Sequence, residues 1–208
     1  MPSQQKKRSN GSTRSILSDI NQVLGIDDSY QAPDAVLQLM QSGDIVARDR
    51  VYYEMAGLFE CDYSKDWFFE YFQEEHADRH QNKQDFTPPC IADIIHNVLH
   101  SEPFNSSESR HITYDPAAGT GQLLIRDWYD TRRKFMPWDY KPMDHLVVCA
   151  ELSVKTVPFL LFNLSVRGIC GMVFHMNTMT EDIYNIYALT NRRNDPLCYS
   201  DVTNIYKR

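Results

Sequence analysis

Hydrophobic positions recur at helical spacing through the first third of the chain. Ile16, Leu17, Ile20, Val23 and Leu24 form one stripe, and Gly25 stands where a left-handed cap would end a helix. A second short helix is expected from Pro33, with Val36, Leu37, Leu39 and Met40 on its apolar face, stopping before Gly43. A third covers 44–59. A fourth sets Trp67, Phe68, Tyr71 and Phe72 on one side and ends at acidic Glu74 and Glu75. These four predict a helical cap over residues 13–83. Residues 1–12 are polar and basic and are expected to form a disordered tail.

The pattern changes after Lys83. Thr87-Pro88 is a cap followed by a first-turn proline, and Ile91, Ile94, Ile95, Val98 and Leu99 form the buried stripe of a helix. Short apolar runs at 112–114, 145–150 and 171–175 read as strands, with helices over 121–135 and 153–167 between them. A fourth strand is expected at 183–189. This alternation predicts a mostly parallel sheet with crossover helices, so residues 84–208 are expected to form a truncated α/β domain of Rossmann-like type.

Composition narrows the classes. With 42% hydrophobic and 24% charged residues among 208, the chain is globular rather than fibrous or disordered. No apolar run approaches the roughly 20 residues of a membrane span, and no secretory pattern follows Met1. Five cysteines, at 61, 90, 149, 170 and 198, are widely spaced without a Cys-x-x-Cys pair, which argues against a zinc ribbon or a disulfide framework. A cytoplasmic chain with reduced thiols is expected. The net charge is −7; four basic residues in the first fourteen leave the remainder at −11. Such a body lacks the cationic surface that grips duplex DNA unaided.

Candidate chemistry centres on Asp115-Pro116-Ala117-Ala118-Gly119-Thr120-Gly121-Gln122. Glycines between a strand and a helix let the backbone turn sharply and come close to a ligand. A dinucleotide fingerprint would want a third glycine where Leu124 stands, and an acid nearer than Glu151, about 30 residues past Gly121. Asp115 would repel a pyrophosphate but suits an amino or sulfonium group. Glu151, at the tip of the second strand, is placed to hold two ribose hydroxyls. The pair favours an adenosyl ligand with a cationic tail over NAD. Plainer readings hold elsewhere: His76/His80 and His96/His100 have metal-like spacing without a third ligand, and Arg132-Arg133-Lys134 suits a helix C-terminus.

Three stretches together carry a resemblance. Gln84-Asp85-Phe86-Thr87-Pro88, Tyr114 through Ile125 and Asn163-Leu-Ser-Val-Arg-Gly-Ile, with Glu151 between them, resemble the adenine-N6 DNA methyltransferases, most of all the modification subunit of type I restriction systems. The resemblance spans about residues 44–190. It implies S-adenosylmethionine (SAM) as cofactor. Gln84, Asp85, Phe86, Thr87 and Pro88 would approach its methionine end. Asp115 would take the amino group, and the turn from Ala117 and Ala118 through Gly119, Thr120 and Gly121 to Gln122 would pass under the carboxylate and ribose. Glu151 would hold the ribose, Leu152 would flank the adenine, and Asn177 would accept from the adenine amino group.

The family's Asn-Pro-Pro-Tyr/Phe tetrapeptide, which holds and stacks on the flipped target base, is replaced by Asn191-Arg192-Arg193-Asn194. Asn191 is the one candidate remnant of the catalytic motif. The resemblance therefore implies either a methyltransferase acting on DNA with a partner specificity or methylase subunit, or a non-catalytic SAM-binding module that modulates a restriction-modification or mobile-element system. In the family's strand order the fourth strand is central. Here little chain follows it, so 183–189 is expected to be an open edge through which the chain forms a homodimer or meets a partner.

Overall fold

A computed structural model of the protein describes residues 15–75, 88–99 and 111–207. Helix α1 (Ile16–Leu24) forms between the signals that its sequence carries: the Ser15 side chain accepts from the Ser18 amide, and Gly25 closes the helix at φ 69°. Helix α2 (Ala32–Gln41) has its proline in the first turn, and α3 (Ile45–Leu58) starts where Asp44 accepts from the Ala47 amide at 2.9 Å. Helix α4 (Phe69–Glu75) is shorter than its aromatic stripe suggests. Trp67 and Phe68 precede it in a loop, because Asp66 captures the Phe68 amide at 2.9 Å and the Trp67 indole donates to the Asp62 carbonyl at 2.9 Å. All four aromatics of the stripe are nonetheless buried.

Five strands form one sheet in the order β1-β2-β3-β4-β5: β1 (His111–Asp115), β2 (His145–Glu151), β3 (Cys170–Asn177), β4 (Asp182–Thr190) and β5 (Asp201–Lys207). The first three are parallel, joined by crossover helices α6 (Gln122–Arg132) and α7 (Val157–Ser165). Helix α5 (Pro89–Leu99) precedes β1 and meets α6 through an Asp93–Arg126 ion pair at 2.8 Å. All nine residues of α7 are buried, because one side packs on the sheet and the other on the cap. Phe159 and Phe162 meet Phe68 at ring-centroid distances of 4.5 and 5.2 Å.

The fold is α/β with helices at the N-terminus, as expected, but the fourth strand runs the other way. It is antiparallel to β3, and the turn between them is far too short for a crossover, which needs a dozen or more residues. Nor is its outer edge open. After a loop over 191–200, β5 pairs along it. Arg192 to Pro196 stay in that loop, while Val202 and Thr203 supply the β-branched residues that a strand favours. Homodimerisation through a β4 edge thus loses its basis. Among the described residues the unpaired edges of the sheet belong to β1 and β5.

The two faces of the sheet differ. Val147, Cys149, Val173, Tyr187 and Leu189 point into the cluster shared with α6 and α7. The alternating positions point away: Leu146, Val148, Met172 and Phe174 are half-buried, and Ile112 and Tyr114 are 61% and 64% exposed. Among the described residues no helix is long and apolar enough to cross a membrane.

Candidate ligand site at the strand tips

Asp115 ends β1 and pairs in register with Cys149; Glu151 lies two residues further along β2, so both carboxylates share a face. Between them runs the glycine turn. Gly119 and Gly121 adopt φ values of 57° and 99°, which ordinary side chains rarely take. At Gly121 a Cβ would also stand 3.0 Å from Leu160 Cδ1, so a larger residue there would force that α7 side chain to give way.

The turn is tied to both strands. The Ala118 amide donates to the Ala150 carbonyl at 2.9 Å, and the Gly119 amide donates to Glu151 Oε2 at 2.9 Å. Glu151 Oε1 accepts from the Ser153 amide at 2.7 Å. Asp115 Oδ1 accepts from the Ala117 amide at 3.0 Å. A carboxylate oxygen has two lone pairs, so these bonds orient Glu151 without using up its acceptor capacity. Burial pushes both carboxyl groups above their ordinary range; backbone amides oppose the shift, and at Glu151 the nearby Asp115 adds to it. Two half-desolvated acids on one rim favour a cationic or multiply hydroxylated ligand.

Behind the turn lies a polar cluster that sequence reasoning missed. Thr120 donates its hydroxyl to Asp66, and its carbonyl accepts from Asn163 Nδ2 at 2.9 Å. Asn163 Nδ2 also reaches Asp66 Oδ1 at 2.7 Å. Arg167 donates to the Asn163 and Tyr63 carbonyls at 2.6 and 2.8 Å and to the Lys65 carbonyl. Burial raises the Asp66 carboxyl and lowers the Arg167 guanidinium to about 10, which still leaves it charged at neutral pH. His175, beside Glu151 in register, has Nε2 3.2 Å from the Leu152 carbonyl and Nδ1 3.2 Å from Asn185 Nδ2. It steadies the tip of β2.

The structure brings together Asp115, Ala117, Ala118, Gly119, Thr120, Gly121, Gln122, Glu151 and Leu152, the last 53% exposed beside Glu151. Pro88 is exposed just ahead of α5; Gln84, Asp85, Phe86 and Thr87 lie outside the described residues, as do His76, His80 and His100. Asn177 sits on the same rim, but its side-chain oxygen accepts from the Met179 and Thr180 amides at 3.0 and 3.3 Å, which commits it to the hairpin turn. Asn191 is displaced altogether. Because β4 runs antiparallel, Asn191 lies at the opposite end of the sheet, fully buried. Its amide nitrogen donates to the Asp195 and Cys198 carbonyls at 2.8 Å each, and its oxygen accepts from the Asp195 amide at 3.2 Å. The side chain is committed to its own loop.

The family model for N-6 DNA methylase matches residues 64–195, more than half of the chain. No curated protein matches. Two crystal structures are similar. One, assigned as a modification subunit of a type I restriction enzyme from Vibrio vulnificus, superposes with TM-score 0.43 at 16% identity, over 64% of this chain and 27% of that one. The other, assigned as a class I S-adenosylmethionine-dependent methyltransferase from Listeria monocytogenes, gives TM-score 0.47 at 13% identity, over 77% and 53%. The chain thus spans about a quarter and about half of the lengths of these two.

Proposed function

The chain belongs to the N-6 DNA methylase family, and from that premise we propose that it binds SAM at the tips of β1 and β2 and serves adenine-N6 methylation of DNA together with a partner subunit. The observation that carries this reading is the positive-φ glycine turn held between Asp115 and Glu151. These residues fit the cofactor. Asp115 is a counter-charge for its amino group, Glu151 an acceptor for its ribose hydroxyls, and Leu152 an exposed apolar neighbour for its adenine. Gly119 and Gly121 let the backbone approach without a Cβ in the way. When bound, SAM supplies an electrophilic methyl group. Asn177 would contribute only by shaping the hairpin beside the site.

Two features support the need for a partner. The acidic body offers little grip on phosphate, so a specificity or methylase subunit would supply DNA contact. Among the described residues the β1 edge is also unpaired, and Ile112 and Tyr114 on that strand are largely exposed. A partner that adds a strand beside β1 and lays helices over Ile112, Tyr114, Val148 and Phe174 would complete the sheet.

Calorimetric titration with SAM tests the cofactor reading. Glu151→Ala should weaken binding by about 1–3 kcal/mol, the cost of unpaired ribose hydroxyls; equal affinities would refute the site. A second reading, a non-catalytic SAM-binding module, is favoured by the commitment of Asn191 to its own loop and by the absent Asn-Pro-Pro-Tyr/Phe sequence. A labelled-methyl assay on mixed-sequence DNA separates the two. Transfer only with a methylase or specificity partner supports the first, and no transfer under either condition supports the second.

A further inference from the structure

We propose that the helical cap is a working part of the ligand site: Asp66, seconded by Asn163 and Arg167, is a positioning residue that holds the glycine turn in its ligand-ready shape from behind. This rests on the SAM reading above for its ligand but not for its geometry. Thr120 sits between the two positive-φ glycines, so its orientation sets the path of the whole turn. Both of its polar groups are held. The hydroxyl goes to Asp66, 54 residues earlier in the sequence, and the carbonyl to Asn163, 43 residues later. Asp66 also accepts from the Phe68 amide, and Arg167 fixes the carbonyls of Tyr63 and Lys65, so the loop that carries Asp66 is itself anchored. Arg167 further lies 5.1 Å from the centroid of the Trp67 ring.

The chemistry of the cluster argues for positioning rather than for simple cohesion. Asp66, Thr120, Asn163 and Arg167 are all buried. Buried charged groups are costly to desolvate, and apolar residues of similar volume serve stability as well or better. What such a cluster adds is direction: Thr120 is held by its hydroxyl and its carbonyl at once, which fixes the orientation of the turn. None of the four needs to touch the ligand to decide how well the turn receives it.

The test is a double-mutant cycle on SAM affinity, with amide exchange measured in the ligand-free protein. Thr120→Val removes the hydroxyl donor at nearly constant volume and should weaken binding about tenfold, whereas Thr120→Ser, which keeps the donor, should bind like the unaltered protein. Asp66→Asn should weaken binding similarly, and the double variant should be no weaker than the worse single one. In the absence of ligand, the Gly119 and Gly121 amides should exchange about tenfold faster in either weakened variant, while β3 amides keep their protection. Affinities that multiply independently, or turn amides that exchange at unchanged rates, overturn the proposal. If the unaltered protein fails to bind SAM and the turn amides still loosen in both variants, the positioning role stands and the cofactor reading falls. Thr120→Val carries the test alone should Asp66→Asn not fold.

Discussion

The two ends of the sheet use similar polar residues for opposite purposes. At the tips of β1 and β2, Asp115 and Glu151 each accept backbone amides that orient them while acceptor capacity remains. At the far end, Asn191 has both halves of its amide consumed by the carbonyls and amide of the 191–198 loop. A residue is available for chemistry when its bonds aim it without exhausting it. By that measure one end can receive a ligand and the other is scaffolding.

Substitutions should separate the ends. The largest effect is expected at the scaffold: Asn191→Ala empties a fully buried position, strands the part-buried carbonyls of Asp195 and Cys198, and should cost about 3 kcal/mol of stability in denaturant unfolding. SAM affinity of the folded fraction should not change. At the tips the pattern reverses, and Asp115→Asn should weaken SAM binding by about 1–2 kcal/mol through loss of the counter-charge, with a smaller change in unfolding midpoint. If both substitutions moved stability and affinity in parallel, the contrast between the ends would be broken.

A pH series sharpens the same contrast. Both tip carboxyls are raised by burial, so their ionised forms, which the proposed ligand contacts require, are lost as pH falls through a range above the ordinary value of about 4. SAM affinity measured from about pH 8 downward should therefore decline before ordinary carboxylates titrate. Asp115→Asn should flatten part of that decline. The smallest effect belongs to Arg192, whose ion pair with Asp201 leaves its side chain 78% exposed: Arg192→Ala should change stability by less than about 0.5 kcal/mol and SAM affinity not at all.

Local signals made much of this legible in the sequence. Gly25 ends α1, and the Asp115–Gly121 stretch announces a strand, a tight turn and a helix because each residue acts on its immediate neighbours. Glu151 was readable because strand tips of a parallel sheet converge on one rim. The direction of β4 was not, since an apolar run such as Ile183 to Leu189 is the same whether its strand runs up or down. The turn length between 177 and 182 carried that information. The tie between Asp66 and Thr120 was hidden for a different reason: it joins residues 54 apart that meet only after the cap has packed on α7. Asn191 looked like a motif remnant for want of the partners that fold back onto it.

Amide chemical-shift mapping with S-adenosylhomocysteine tests the division between the two ends most directly. Perturbations are expected at residues 115–121 and 151–153, with residues 191–198 unmoved. Perturbations centred on 191–198, or none in 115–121 at saturating ligand, would contradict that division.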